Sequence, residues 1–180
     1  MSPRGKLYVP GAESIVPNLA RLTRSAAERP VLIVASADAH QPNDAEFRQW
    51  PPHCLAGTPG QRKIPETLLP RRLVIPNSPV ELPADPGAWQ QIVLEKQELN
   101  VFTNPNTEPL LRRLGRPEVV LYGVVTELCV ALAAENLLRH DCAVTLVEDA
   151  TASLDAAKAR SLVDRLVRQG ARLATTEEIV

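Results

Sequence analysis

The stretch Val119–Ala134, VVLYGVVTELCVALAA, passes from a short run of β-branched and aliphatic residues into apolar residues at helical spacing. Similar apolar runs alternate with amphipathic segments along the rest of the chain. Strands that are buried on both faces have continuous apolar sequences, so this alternation is typical of a parallel sheet covered by helices. We therefore predict an α/β fold with a doubly wound, mainly parallel sheet and helices on both faces.

The apolar runs predict five strands, at Val31–Ser36, Ile92–Leu94, Val119–Tyr122, Ala143–Val147 and Arg172–Ala174. The amphipathic segments predict three helices, at Ala12–Ala27, Cys129–Arg139 and Ser153–Gln169. Ten of the 17 prolines fall in residues 41–90, which we interpret as a long loop after the first of these strands. Ligands bind at the carboxyl edge of open α/β sheets, so this loop is the first place to look for a site.

Composition narrows the class of protein. The 180 residues fit a single domain spanning 1–180. Twenty basic and 21 acidic side chains leave a net charge of −1 without a long run of either sign, so we expect neither nucleic acid nor a membrane as partner. The sequence has no signal peptide core and three widely spaced cysteines, which favours free thiols in the cytoplasm. Association into a homo-oligomer is left open.

A candidate metal site lies in the long loop. Asp38 and His40 are two residues apart at the end of a predicted strand, so both side chains emerge on one face, and His53 follows in the same loop. Two imidazoles and a carboxylate bind Zn²⁺, Fe²⁺ or Mn²⁺ and leave coordination positions open. The spacing alone is equally compatible with ordinary polar residues of a surface loop.

A candidate nucleophile is Cys129, at or near the start of a predicted helix. A helix N-terminus lowers the pKa of a thiol, and its N–H groups can bind an oxyanion, although a cysteine in this position can also be a small buried apolar residue. Lys96 ends another predicted strand and should emerge at the same edge, unless it only caps the strand in solvent. Cys54 and Cys142 have no comparable setting, and we interpret both as structural.

Four segments, in this order, resemble those of the nicotinamidase and isochorismatase-like cysteine hydrolases, in particular the nicotinamidase branch. They are ASADAHQPNDAEF, WPPHCLAGTPG, LEKQ and GVVTELCVALAA. The first is similar to the metal loop of the family, the second to its tryptophan and histidine loop, the third to its lysine strand and the fourth to its nucleophile turn. The resemblance covers essentially the whole chain and implies the doubly wound fold predicted above.

The resemblance also implies a reaction. Cys129 would attack the carbon of nicotinamide or a related small carboxamide, ammonia would leave, and water would release the acid from a thioester. Lys96 would supply positive charge near the thiolate. The backbone N–H groups of Val125 and Cys129 would form the oxyanion hole, with a cis peptide bond between Val124 and Val125.

For the remaining site residues, the resemblance implies that Asp38, His40 and His53 hold a divalent metal ion. In the nicotinamidase branch this ion orients the ring nitrogen of the substrate, and Trp50 would form one wall of the ring pocket. The family tryptophan between the first two ligands is Ala39 here, and a further family histidine corresponds to Asp44. Nicotinamide is therefore the leading substrate within a wider class of amides.

The family places a catalytic aspartate on a first, central strand with the pattern V-D-x-Q-x-D-F. The segment MSPRGKLYVPGAE resembles the family segment immediately after that strand, so both strand and aspartate are missing. We expect the natural chain to start upstream of Met1. The alternatives are a non-catalytic relative acting in binding or oligomerisation, and a metal-free isochorismatase-type hydrolase.

Overall fold

In the computed structural model, which describes residues 5–180, all strand pairs between named strands are parallel. The strands are β1 (Ile33–Asp38), β2 (Arg72–Ile75), β3 (Gln91–Lys96), β4 (Glu118–Val124), β5 (Ala143–Ala152) and β6 (Arg172–Ala174). The α-helices are α1 (Val16–Glu28), α2 (Thr107–Leu114), α3 (Ala131–Arg139), α4 (Ala156–Arg168) and α5 (Thr176–Ile179). The predicted class, helices with a parallel sheet, is confirmed. Across the described residues, none of these helices has the length and apolarity needed to cross a membrane.

The described strands divide into two three-stranded sheets, in the orders β1-β3-β2 and β4-β5-β6. The sequence predicts a doubly wound sheet whose first, central strand is missing, and the described strands form two sheets. Within residues 5–180, β1 and β4 each pair on one side only, and the central strands β3 and β5 carry most of the buried positions. Val34 on β1 and Val120 on β4 are accordingly 44% and 37% exposed.

The predicted loop at residues 41–90 contains one strand that the sequence pattern did not predict, β2. Its four residues are too few for a periodic pattern to stand out, and prolines lie on either side of it. Helix α2 was also not predicted; it is eight residues long and ends at Gly115 in the left-handed conformation, with φ of 72°. The predicted first helix begins as a 3₁₀ turn, Ala12–Ile15, before α1.

Two apolar clusters support the strands that lead to the candidate site. Ile92 and Leu94 of β3 are buried together with Leu110 of α2. Leu19 of α1 packs in a second cluster with Val147 of β5. Burial of aliphatic side chains is the main favourable contribution to folding, so these clusters hold the carboxyl ends of the strands in place.

Candidate active site

The carboxyl ends of three strands meet at the candidate site. Asp38 is the last residue of β1 and lies in register with Lys96, the last residue of β3. β4 leads into a single π-helical turn, Thr126–Val130, which contains Cys129 and precedes α3. Parallel strands end at a common edge, so residues distant in sequence are brought together here.

The ammonium group of Lys96 lies between the other two side chains. Its Nζ atom contacts a carboxylate oxygen of Asp38, donates to the carbonyl oxygen of Glu98 at 3.0 Å and lies 3.6 Å from the Sγ atom of Cys129. Lys96 is only 3% exposed. Burial by itself lowers its pKa, but the charges of Cys129 and Asp38 outweigh burial, so the pKa of Lys96 is raised and the side chain stays protonated.

The pKa of the Cys129 thiol differs from the sequence-based expectation. Burial raises the pKa of Cys129 above the ordinary value, Lys96 is the main influence that lowers it, and Asp38 raises it further. The sequence predicts that the helix N-terminus lowers this pKa. The physical reason for the difference is desolvation, which disfavours the thiolate more than its surroundings favour it. Formation of the thiolate therefore depends on Lys96.

The turn before Cys129 has an unusual backbone. The Val124–Val125 peptide bond is cis, as the resemblance implied. The carbonyl oxygen of Val125 accepts hydrogen bonds from the N–H groups of Leu128 and Val130, both at 3.1 Å. These bonds close the π-helical turn over residues 125–130 and place Cys129 inside the turn. The helix predicted to start at Cys129 is α3, which starts at Ala131.

A parallel bridge brings the two loop histidines together. His40 pairs with Leu55, because the N–H of His40 donates to the carbonyl oxygen of Cys54 at 3.1 Å and the N–H of Ala56 donates to that of His40 at 2.9 Å. His53 immediately precedes this bridge, and its ring centroid lies 4.6 Å from that of His40. Both rings are buried.

The predicted metal ligands form one group. One ligand atom from each of Asp38, His40 and His53 lies within 4.8 Å of the others. The Nδ1 atom of His53 lies 2.8 Å from the carbonyl oxygen of Pro51, and that of His40 lies 3.0 Å from Asp44. Both partners are acceptor oxygens, so the Nδ1 atom of each ring is placed to donate, and the Nε2 atom is the one that faces Glu46.

The orphaned Nε2 atom of His40 is the observation that best fits a cation. It is buried and has no hydrogen-bond partner among the described residues. Glu46, which was not among the predicted ligands, adds a carboxylate whose Oε1 atom lies 3.8 Å from the Nε2 atoms of both His40 and His53. Its side chain is 12% exposed. In the sequence, Glu46 is marked only as a carboxylate between the two candidate histidine ligands. Its direction is set by a 3₁₀ turn, Ala45–Arg48, which the sequence pattern does not reveal.

Trp50 lines a cavity that none of the three predicted metal ligands lines. It lines a cavity of about 430 Å³ together with Leu128, Leu154 and Leu162. Leu128 immediately precedes Cys129, so this cavity adjoins the nucleophile turn. A second cavity, of about 250 Å³, is lined by residues that include Ala39, between the two ligands Asp38 and His40. The predicted role of Trp50 as a wall of the substrate pocket stays a prediction.

The other two cysteines are poor candidates for nucleophiles. Burial raises the pKa of Cys54 to about 11. Burial also raises the pKa of Cys142, which packs with Leu137 and Val144 in a core cluster. A thiol that stays protonated is a weak nucleophile, so both positions are consistent with the structural roles predicted for them.

Comparison with known proteins gives a family match over nearly the whole chain, because the isochorismatase domain model matches residues 2–178. The nicotinamidase/pyrazinamidase of Mycobacterium tuberculosis is 29% identical over an alignment of 134 residues that covers 69% of this chain and 66% of that protein. The chain thus spans just under two thirds of the length of this curated relative.

Two solved structures have the same architecture. The pyrazinamidase of Pyrococcus horikoshii in complex with zinc is 26% identical, with a TM-score of 0.78 over 97% of this chain and 92% of that one. The N-carbamoylsarcosine amidase of Thermoplasma acidophilum is 27% identical, with a TM-score of 0.77 over 98% of this chain and 91% of that one. Both similarities extend over the strands that carry the candidate site.

Proposed function

The chain belongs to the isochorismatase domain family, and from that membership we propose that it is a single-domain, metal-dependent cysteine amidohydrolase. Its substrate would be nicotinamide or a related small carboxamide, and its products the corresponding acid and ammonia. The observation that carries the proposal is the position of Lys96 between the Asp38 carboxylate and the Cys129 thiol.

In the first half of the reaction, the Sγ atom of Cys129 forms a bond to the carboxamide carbon. The ammonium group of Lys96 stabilises the thiolate, with Asp38 as its counter-ion, and the N–H groups of Val125 and Cys129 donate to the oxyanion. The bond from carbon to nitrogen then breaks. The proton lost by the thiol leaves with the amide nitrogen as ammonia, and Lys96 stays protonated throughout this half of the reaction.

In the second half, water attacks the thioester carbon and the bond from carbon to Sγ breaks. The acid is released, and the remaining proton of the water restores the Cys129 thiol. The two halves together consume one carboxamide and one water and yield one acid and one ammonia. The protein is therefore regenerated without any further reactant.

The residues around His40 fit a divalent metal ion. Asp38, His40 and His53 would hold it, and Glu46 is close enough to complete the set. When bound, Zn²⁺, Fe²⁺ or Mn²⁺ would supply an open coordination position that orients a donor atom of the substrate, such as a ring nitrogen. One oxygen of Asp38 can serve the ion while the other stays with Lys96, because a carboxylate has two acceptor oxygens.

A non-aromatic amide is the second candidate for the substrate. The similarity to an N-carbamoylsarcosine amidase favours it. So does Ala39, which replaces a tryptophan of the nicotinamidase pattern and lines the cavity of about 250 Å³. A substrate without an aromatic ring would need less apolar wall at this position.

The test is ammonia release by metal-loaded protein from nicotinamide, pyrazinamide and N-carbamoylsarcosine. Cys129→Ser should abolish release, whereas the matched variant Cys142→Ala should retain it, because Cys142 packs in a core cluster next to the amino end of β5. A folded, metal-loaded protein that releases no ammonia from any of the three amides would contradict the proposal. It would favour a relative that only binds ligands or other copies of the chain.

A further inference from the structure

Glu127, two residues before Cys129, joins the nucleophile turn to a distant helix. Its Oε1 atom accepts hydrogen bonds from the N–H groups of Leu154 at 2.9 Å and Asp155 at 2.7 Å. These residues lie 27 and 28 positions further along the chain and immediately precede α4. One carboxylate oxygen thus fastens the turn that carries Cys129 to the beginning of α4.

The helix side of this connection is itself held by hydrogen bonds. Asp155 is the N-cap of α4, and its own carboxylate accepts from the N–H groups of Ala157 and Lys158, both at 3.0 Å. The negative charge of Glu127 also lies near the N-terminus of α4, where the helix dipole favours it. Glu127 is therefore attached to the N-cap residue of α4 and to the residue before it.

The other carboxylate oxygen of Glu127 makes no comparable hydrogen bond. Oε2 is buried and has no hydrogen-bond partner among the described residues. An unpaired buried carboxylate oxygen opposes folding. A residue without this unpaired atom would give a more stable protein. We therefore look for the role of Glu127 in how its carboxylate holds the nucleophile turn.

We propose that Glu127 is a positioning residue that sets the distance between the Sγ atom of Cys129 and the Nζ atom of Lys96. The inference deepens the proposed function, since it rests on Cys129 as the nucleophile. The present distance between these two atoms is 3.6 Å. A shift of the turn that lengthens this distance would weaken the influence of Lys96, which lowers the pKa of the thiol.

Three variants separate the geometry of Glu127 from its charge. Glu127→Ala removes the acceptor. Glu127→Asp keeps the charge but shortens the side chain, so it cannot reach both N–H groups. Glu127→Gln keeps an acceptor oxygen at the same reach and loses the charge. Glu178→Ala is the matched control, because Glu178 caps α5 by accepting from the N–H of Thr175 at 2.6 Å.

The main measurement is the rate at which iodoacetamide alkylates Cys129 in metal-loaded protein, followed by peptide mass so that Cys54 and Cys142 do not contribute. Misplacement by about 1 Å can reduce reactivity about 100-fold. We expect Glu127→Ala and Glu127→Asp to slow alkylation and kcat by about 10- to 100-fold with little change in KM. In Glu127→Gln, the alkylation rate and kcat should both stay within about 3-fold of those of the unaltered protein. Glu178→Ala should change neither the alkylation rate nor kcat.

Thermal unfolding of each variant shows whether it is folded. If Glu127→Ala does not fold, Glu127→Asp is used for the test instead. Unchanged alkylation in a folded Glu127→Ala or Glu127→Asp protein would overturn the proposal. So would equal slowing in Glu178→Ala, because a general loss of stability would then explain the effect. If no variant hydrolyses any amide but alkylation still depends on Glu127, the proposed function fails and the positioning role stands.

Discussion

The Nζ atom of Lys96 lies 3.6 Å from the Sγ atom of Cys129, although the two residues are 33 positions apart and belong to the carboxyl ends of strands in different sheets. Lys96 ends β3 in the first sheet, and Cys129 follows β4 in the second. Because of this contact, the ionisation of the Cys129 thiol depends on residues from both sheets. The charge of Lys96 should therefore control the reactivity of Cys129.

Replacing Lys96 with methionine should make Cys129 less reactive at neutral pH. Lys96 is the main influence that lowers the pKa of this thiol, so its loss leaves burial opposed only by the hydrogen bond with the Val125 backbone and raises the pKa further. The pH at which alkylation by iodoacetamide reaches half its maximal rate should therefore move upward. Lys6→Met, at an exposed position, is the control. An unchanged pH profile in Lys96→Met would show that the two groups do not interact.

Replacing His53 with alanine should reduce the metal content of the purified protein. The Nε2 atom of His53 is held towards the other ligands by the hydrogen bond from Nδ1 to Pro51. The matched variant is His140→Ala, because His140 is the third histidine and stacks on Phe102 instead. Elemental analysis after mild purification measures both. No metal in either variant or in the unaltered protein would favour a metal-free hydrolase.

Replacing Glu46 with glutamine should weaken Zn²⁺ binding by about 10- to 100-fold. The change keeps the size of the side chain but removes the carboxylate charge that faces both Nε2 atoms at 3.8 Å. Competition with a chromophoric chelator measures the affinity. Glu66→Gln, at an exposed position, should leave the affinity unchanged. Equal affinities for all three proteins would remove Glu46 from the metal group.

Two neighbouring residues of α4 should differ in their contribution to stability. Leu166 is 2% exposed and packs in a core cluster with Ala134 and Val144, whereas Val167 is 41% exposed. Leu166→Ala should lower the free energy of unfolding by about 2–5 kcal/mol, and Val167→Ala should change it by less than about 0.5 kcal/mol. Urea denaturation measures both. Similar losses would mean that α4 does not pack as described.

The exposed valines on the outer strands should promote association between copies of the chain. Val34 and Val120 lie on β1 and β4, whose second edges have no partner strand within residues 5–180. Such edges are places where another strand can pair, and a lysine there opposes pairing. Val34→Lys and Val120→Lys should therefore shift size-exclusion profiles towards smaller species. Val167→Lys on α4 is the control, and an equal shift there would indicate a nonspecific effect of charge.

Local patterns in the sequence were enough for much of the fold. The apolar runs around Val119 and Ala143 predicted β4 and β5, because a strand buried on both faces needs continuous apolar residues. The spacing of Asp38 and His40 at a strand end predicted that they share a face, and the structure brings them together with His53. These predictions depended only on the order of residues along the chain.

The tertiary structure decided what depends on neighbours in space. β2 and α2 are too short for their own periodicity to show, and packing against β3 stabilises them. Glu46 joins the histidines because a 3₁₀ turn directs it inward. The pKa of Cys129 is raised and not lowered, because burial outweighs the charge of Lys96. Sequence thus determined which chemical groups reach the carboxyl edge, whereas folding set their distances and desolvation, on which their charges depend.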